Sequence, residues 1–162
     1  MIRIAETPND IDIVSSLAGE IWREHYISII GSAQVEYMLQ EFQSVEAISK
    51  QIAEGYKYFV ISSDGIDCGY SSAKILDREI FLSKLYVKAT FRGKGLGREA
   101  LKFIEFRFNP EVIRLTVNKN NTNSIAAYKK MGFEIVDEVV KDIGNGFVMD
   151  DFVLKKWVNK HS

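Results

Sequence analysis

LYVKATFRGKGLGR, residues 85–98, reads as a β-strand that runs through a short turn into a glycine-rich loop and then a helix. The first backbone N–H groups of a helix have no partners and carry a partial positive charge. Glycines at positions 93, 95 and 97 leave those donors open to close approach, and basic side chains at 92, 94 and 98 add charge beside them. The stretch therefore predicts a cradle for a pyrophosphate group.

Three other interpretations of this loop compete with a pyrophosphate cradle. Residues 95–100 match the Rossmann pattern G-x-G-x-x-A, but residues 115–120 hold no carboxylate where that fold binds a ribose. Gly93-Lys94-Gly95 lacks the hydroxyl with which a Walker loop binds magnesium. Both nucleotide interpretations therefore fail on chemistry, whereas an ordinary helix start behind a solvated basic loop stays open.

A second motif, NTNSIAAYKKMGF, covers residues 121–133. Together with the pattern Arg-x-x-Gly-x-Gly that begins at Arg92, it resembles the two signatures of the GNAT superfamily of acyl-CoA-dependent N-acetyltransferases. The resemblance covers residues 80–135 by motif and the remainder by pattern, and residues 118–133 look most like the bacterial polyamine (spermidine/spermine) acetyltransferases. The second signature is carried by Asn121, Ile125, Tyr128, Gly132 and Phe133, and Ser124 replaces its usual alanine.

The resemblance implies acetyl-CoA as co-substrate. The strand before the loop and the strand after its helix would run parallel and splay apart, so that pantetheine amides hydrogen-bond to an open edge at Leu85 and Val87. Asn121 is expected to bind the coenzyme or to cap its helix, two compatible roles since an amide side chain both donates and accepts. Plain exposure is the alternative for Lys130. The residues expected to bind the coenzyme are Leu85, Tyr86, Val87, Arg92, Gly93, Lys94, Gly95, Leu96, Gly97, Arg98, Asn121, Tyr128 and Lys130.

Acetyl transfer needs a neutral amine and a stabilised leaving thiolate. An alkyl amine with a pKa near 10.4 is only about one part in a thousand neutral at pH 7, so a general base is useful. The resemblance implies that Tyr128 is the general acid, with packing on the sheet as its alternative role. Many relatives carry a glutamate where this chain has Ser83, and a serine cannot act as the base alone. The base is therefore sought among Glu20, Asp150, His25 and Asp151, of which we take Glu20 and Asp150 first, or is water.

Aromatic residues of the first two helices are the candidates for an acceptor site. Trp22, His25 and Tyr26 are expected to contact the substrate, and Tyr37 is a further candidate. Packing in the core is the alternative for each of them. The acceptor is a polyamine, an amino-acid-like metabolite or a protein amine, and nearby carboxylates would suit a polyamine.

Two other function classes compete with an acetyltransferase. A CoA-binding sensor or pseudoenzyme keeps the cradle without turnover, and Ser83 at the usual base position supports this alternative. A nucleic-acid-binding module ranks last, because the basic residues cluster only at the loop.

Composition is that of one ordinary globular domain. The chain has 162 residues, 46% hydrophobic and 27% charged, with a net charge of −1, so no general attraction to nucleic acid or membranes is expected. No apolar run approaches the roughly 18 residues that span a bilayer. One cysteine, Cys68, predicts no internal disulfide and a reducing, cytoplasmic location, and two histidines argue against a metal site.

Hydrophobic periodicity predicts a single mixed α/β domain over residues 1–162. Thr7 and Asp10 form a capping box for a first helix that ends near Tyr26, and the last two strands turn at residues 142–145. The resemblance implies a central, mostly antiparallel twisted sheet with one splayed parallel strand pair, flanked by helices. The terminal strand over residues 147–153 is expected to pair across a homodimer.

Overall fold

The computed structural model describes residues 1–158 of the chain. Within that range a short first strand is followed by three helices, and the rest of the chain consists of six strands and two further α-helices between them. The strands are β1 Ile2–Ile4, β2 Tyr56–Ser63, β3 Ile66–Leu76, β4 Glu79–Val87, β5 Val112–Asn118, β6 Glu134–Gly144 and β7 Phe147–Trp157; the helices are α1 Pro8–Ile30, α2 Ser32–Phe42, α3 Val45–Ala53, α4 Leu96–Phe108 and α5 Thr122–Lys130.

The described strands form one mixed sheet in the order β1-β2-β3-β4-β5-β7-β6. All neighbours are antiparallel except β4 and β5, which are parallel. That pair is short, because Glu79–Phe81 of β4 matches Val112–Arg114 of β5 and no later residues are paired. The two strands then separate, and we call the opening beyond Phe81 and Arg114 the strand gap. The fold class and the splayed parallel pair are confirmed.

Helix α1 begins as its sequence predicts and ends later. Thr7 Oγ1 accepts from the Asp10 N–H at 3.1 Å, and the Asp10 carboxylate accepts from the Thr7 N–H at 3.3 Å. The capping box is therefore confirmed. The helix continues past Tyr26 to Ile30, and Gly31 ends it at a φ of 86° that favours glycine.

Apolar residues fill the space on both faces of the sheet. The α1 face, covered by α1, α2 and α3, buries Val14, Ile21 and Trp22. The α4 face, covered by α4 and α5, buries Leu101 and Ile104. Alternate residues of each strand point to opposite faces, so a ligand that passes through the strand gap meets side chains from both.

A β-bulge at Ser83 interrupts this alternation in β4. Lys84 pairs with Ser72 of β3, whereas Leu82 pairs with the next residue, Ala73, so Ser83 is the extra residue. Before the bulge, Leu82 packs on the α4 face; after it, Leu85 does so. A bulge re-aims the side chains beside it, and here both Ser83 and Lys84 lie on the α1 face.

The hairpin of β6 and β7 leans over the α1 face. Its tip is bound to α2, since the Tyr37 hydroxyl donates to the Ile143 carbonyl at 2.7 Å and Gln34 Nε2 donates to the Val148 carbonyl at 2.9 Å. The turn lies at Asn145 and Gly146, with φ values of 53° and 79°. This corrects the predicted turn at residues 142–145, which overlooked the preference of Asn-Gly for a tight hairpin turn.

Strand β7 is paired along most of its length inside the sheet. Residues 151–157 pair with β5 and residues 147–155 pair with β6. Within residues 147–153, the start of the strand therefore has a strand neighbour on the β6 side only, and pairing across a dimer stays a prediction. No helix within residues 1–158 has the length and apolarity to cross a membrane.

Candidate functional site

The glycine loop, residues 92–98, exposes a row of backbone N–H groups. Gly93 and Gly95 adopt φ values of 79° and 76°, which L side chains rarely tolerate. No side chain caps the start of α4, and within residues 1–158 the N–H groups of residues 93–98 bond to no carbonyl. A Cβ at Gly97 would meet no atom within 4 Å, so the space in front of these donors is open. The geometry is that of an anion site at a helix start.

Basic residues surround the glycine loop, and α1 contributes acidic residues to it. Arg92 Nε donates to the Val87 carbonyl at 3.1 Å, and its guanidinium lies 3.9 Å from Glu24. Glu24 also accepts from the Ala89 N–H at 2.9 Å, so α1 positions the turn that leads into the loop. Lys94 lies over the ring of Phe91 at 5.1 Å.

Three other coenzyme candidates differ in exposure. Arg98 and Lys130 are exposed, and Leu96 is buried against the core. The two cations therefore border open space from which an anion is accessible.

Backbone groups of β4 face the strand gap. The Lys88 N–H donates to the Cys68 carbonyl of β3 at 2.8 Å. Because an antiparallel strand turns alternate residues toward each neighbour, Leu85 and Val87 direct their backbone groups to the other side, where β5 has moved away. The open edge is therefore where the sequence predicts it.

Tyr128 of α5 borders the strand gap on the α4 face. Its ring packs edge-on against Phe133 at 5.5 Å, in the same apolar cluster as Leu85. Burial raises the pKa of its phenol, and the phenol of Tyr26 raises it further. No other side chain or carbonyl within residues 1–158 bonds to the Tyr128 hydroxyl, so this group has its proton available for a ligand.

Asn121 connects the two faces of the sheet. It is buried at the start of α5, and its Oδ1 lies 3.1 Å from His25 Nε2 of α1. Asn121 is the N-cap residue of α5, and its carbonyl accepts from the Ile125 N–H at 3.1 Å, but its side chain makes no cap hydrogen bond. Burial lowers the pKa of His25, and the positive charge of Arg92 lowers it further, which keeps the imidazole neutral near pH 7.

A cavity of about 660 Å³ opens on the α1 face beside the strand gap. We call it the central cavity. Its size is typical of small-molecule sites. Its lining includes Trp22, Tyr26, Gln34 and Met38 of α1 and α2, Phe81, Ser83, Lys84, Tyr86, Arg114 and Thr116 of β4 and β5, and Val139, Lys141, Ile143, Met149 and Asp151 of the hairpin.

Hydrogen bonds among aromatic hydroxyls and a buried indole stabilise the inner wall of the cavity. Trp22 Nε1 donates to the Tyr70 hydroxyl at 2.9 Å, and that hydroxyl donates to Gln43 Oε1 at 2.6 Å. Tyr26 and Tyr86 share a hydrogen bond of 3.2 Å between their hydroxyls. Trp22 is thus a core residue with one edge on the cavity, and Tyr26 is the more accessible of the two.

Of the carboxylates weighed from the sequence, Asp151 is the one that lines the cavity. It is 3% exposed, and its Oδ1 has no hydrogen-bond partner within residues 1–158. Burial raises its pKa to about 6, with a smaller contribution from Asp150. A carboxyl group in a cleft whose pKa is raised toward neutral pH is typical of a functional site.

Glu20 and Asp150 lie elsewhere. Glu20 is exposed and forms an ion pair with Lys88 at 3.1 Å. Asp150 is paired with Lys119 at 2.9 Å on the outer side of the hairpin. Neither lines the central cavity, because neighbouring residues of a strand point to opposite faces and α1 turns Glu20 toward the glycine loop.

Two lysines that the sequence patterns did not predict as site residues line the cavity. Lys84 is partly buried in β4 and its Nζ donates to Ser83 Oγ at 2.8 Å. Lys141 extends from the hairpin tip into the same cavity. The available signal was a lysine in an otherwise apolar strand, but only the bulge determines that Lys84 faces the cavity.

Comparison with known proteins agrees with this geometry. A family model described as "Acetyltransferase (GNAT) domain" matches residues 27–149, about three quarters of the chain. The match includes the glycine loop, the strand gap and most of the cavity lining.

Solved structures with the same fold include three acetyltransferases. The PaiA N-acetyltransferase from Thermoplasma acidophilum, crystallised with coenzyme A, superposes with a TM-score of 0.78 at 23% identity over 98% of this chain and 99% of that one. A ribosomal-protein-alanine N-acetyltransferase from Brucella melitensis gives 0.68 at 21% over 98% and 99%. A protein from Elizabethkingia anophelis with acetyl-CoA bound gives 0.57 at 17% over 68% and 82%.

Proposed function

The chain belongs to the GNAT acetyltransferase family, and from this premise we propose that it moves the acetyl group of acetyl-CoA onto a primary amine held in the central cavity. The observation that carries the proposal is the strand gap, which joins an anion-binding loop on one side to a cavity with a buried carboxylate on the other. A thioester held in the gap would face an amine held in the cavity.

The residues around the loop and gap suit acetyl-CoA, which supplies an activated acetyl thioester. The free N–H groups of residues 93–98 and the charges of Arg92 and Lys94 match a diphosphate. The open edge at Leu85 and Val87 matches the amides of a pantetheine chain, as an added strand would. Binding at two such points orients the thioester without a deep pocket.

Asp151 is the proposed general base. Amines reach the site as ammonium ions, and the Asp151 carboxylate accepts the proton directly or through one water. Its raised pKa of about 6 makes it a better base than a solvated aspartate while leaving it ionised at neutral pH. Its orphaned Oδ1 has a free site for that proton.

Tyr128 is the proposed general acid. The amine nitrogen forms a bond to the acetyl carbon, the C–S bond breaks, and the thiolate takes a proton from the Tyr128 hydroxyl. That proton is replaced from solvent, and the one lost by the amine leaves through Asp151, so protons balance over a cycle. Backbone N–H groups of β4 that face the gap are the donors available to a developing oxyanion.

The acceptor screen tests the proposal. Acetyl-CoA is supplied with polyamines, amino acids or peptides, and free thiol is followed over time. Acceptor-dependent thiol release, with the acetylated amine found by mass spectrometry, is the expected result. Coenzyme binding in calorimetry without release for any acceptor across pH 6–9 would instead support the CoA-binding sensor that Ser83 suggests.

Three properties of the chain remain proposals beside this activity. The polyamine likeness of residues 118–133 makes polyamines one acceptor class in the screen. The buried thiol of Cys68 is compatible with a cytoplasmic location. A homodimer through residues 147–153 also stays a proposal, and the part of this segment without a β5 partner is the start of β7.

A further inference from the structure

Two lysines face the central cavity without a carboxylate partner. Lys84 has Ser83 Oγ as its hydrogen-bond partner, and within residues 1–158 no acidic group lies within 4 Å of Lys84 or Lys141. Lys84 is partly buried in β4, where a lysine is rarely found unless it is paired. Two ammonium groups without a carboxylate partner in one cavity indicate a ligand that carries the missing negative charge.

The charge of Lys141 is felt at Lys84. Burial, and then the charge of Lys141, lower the pKa of Lys84 to about 8. Like charges that share a cavity destabilise the empty protein, and an anion bound between them removes that cost. The arrangement therefore favours a bound anion over a bound cation at this end of the cavity.

The remaining charges of the cavity have other partners or positions. Arg114 bonds to Glu79 at 3.3 Å and stacks over Phe81 at 4.7 Å. Asp142 accepts the Gly144 N–H at 2.8 Å in its own turn. Glu54 is exposed at the end of α3. Asp151 is the buried acid, so the cavity presents one buried carboxylate and two unpaired ammonium groups to its contents.

We propose that the acetyl acceptor is an amine that also carries a carboxylate, whose amine meets Asp151 and whose carboxylate meets Lys84 and Lys141. This inference rests on the proposed function, because it names the substrate class of the same site. An amino acid, or a peptide with an acidic group near its amine, has this chemistry. A polyamine does not, since its second cation would meet the two lysines.

A matched acceptor series separates these classes. γ-Aminobutyrate, its amide γ-aminobutyramide and diaminobutane have similar length and differ in the charge of the far end; β-alanine, its amide and diaminopropane form a shorter set. We expect kcat/KM to fall on the order of tenfold or more from the carboxylate to the amide, because a charge-assisted hydrogen bond is lost, and to be lowest for the diamine.

Lysine variants assign the preference to the cavity. Lys84→Met keeps the length of the side chain and removes its charge, and it is expected to bring the carboxylate-to-amide ratio close to one. Lys141→Met is expected to lower the ratio by less, since Lys141 is exposed. Lys102→Met, an exposed position of α4 behind the sheet, is the matched control and is expected to keep the ratio of the unmodified protein.

Binding of the acetylated products tests the lysine pair without turnover. Calorimetry with γ-acetamidobutyrate and γ-acetamidobutyramide should show tighter binding of the carboxylate, and Lys84→Met should abolish the difference. Equal binding of the two, or a diamine acetylated as well as the carboxylate acceptors, would overturn the inference. A protein that binds the carboxylate preferentially yet transfers no acetyl group would refute the proposed function and leave the anion site established.

Discussion

The glycine loop and the central cavity are built in opposite ways. The loop consists of contiguous residues whose backbone N–H groups make the site, so local sequence is sufficient to form it. The cavity takes side chains from α1, α2, β4, β5 and the hairpin tip, which are far apart in the chain. In the proposed function, a constant group, the diphosphate, would be bound by the backbone, and a variable acceptor by side chains that can change without loss of the fold.

The residues proposed as general acid and general base lie between the two regions. Tyr128 borders the strand gap on the α4 face, and Asp151 borders it on the α1 face. If the proposed roles hold, variants on the loop side change coenzyme binding, variants on the cavity side change acceptor use, and variants of these two residues change turnover itself.

The largest effect is expected for Asp151→Asn. It removes the proposed base, so kcat/KM for the acceptor should fall by about 1,000-fold at neutral pH. In the unmodified protein activity should be lost as the pH falls through about 6, because protonation removes the carboxylate, and the variant should lack this limb. Initial rates from pH 5 to 8 provide the measurement.

Asp150→Asn is the matched comparison for that variant. Its carboxylate is half exposed and paired with Lys119 at the surface, so the acceptor kcat/KM should change by no more than about twofold. A large loss in Asp150→Asn together with normal rates in Asp151→Asn would mean that Asp150 is the base, as first expected from the sequence.

Tyr128→Phe is expected to lower kcat by about 100-fold, because the thiolate loses its proton donor. The KM for acetyl-CoA should stay the same, since the ring still packs on Phe133. Tyr26→Phe removes a hydroxyl on the other side of the strand gap and should have a smaller effect on kcat. Steady-state kinetics with both substrates varied distinguishes the two, and equal losses would contradict the assignment.

Gly97→Val tests the loop alone. A Cβ at Gly97 would meet no atom within 4 Å outside its own helix backbone and adjacent residues, so we expect the fold to tolerate the substitution while the added methyl groups block the approach of an anion. We expect the Kd for coenzyme A to rise by roughly 10- to 30-fold and kcat at saturating acetyl-CoA to be retained. Calorimetric affinity unchanged from the unmodified protein would mean that the loop is an ordinary helix start.

The smallest expected effect concerns stability of the cavity wall. Trp22→Phe removes the indole N–H that donates to Tyr70, which costs about 1 kcal/mol of unfolding free energy. Glu36→Gln weakens an exposed ion pair with Arg23 and should shift the urea midpoint less than Trp22→Phe does. Urea unfolding compares them, and equal midpoints would show that the buried network contributes little.

Local patterns predicted much of this molecule because their causes are local. The capping box of Thr7, the helix that follows Gly95 and the hairpin turn at Asp64 and Gly65 depend on a few neighbouring residues. The errors also have local causes. The Asn145-Gly146 turn was displaced because its preference for positive φ was overlooked, and α1 was ended early because Gly31 was not taken as its stop.

The cavity could be predicted only in part, because distant residues decide which side chains are buried and which point into it. From the sequence, Asp150 and Asp151 are adjacent and equivalent. In the structure one is paired at the surface and the other is buried beside the strand gap. Asn121 resembled a helix cap, yet it bonds to His25, which is 96 residues away in the chain.

The sequence by itself determined the family resemblance, the mixed sheet and the glycine loop with its free N–H groups, because backbone donors and glycine conformations are properties of consecutive residues. Only the tertiary structure decided which charges meet in the central cavity. The bulge at Ser83 turns Lys84 into it, the hairpin brings Lys141 and Asp151 to it, and both depend on pairing between strands that the order of residues does not reveal.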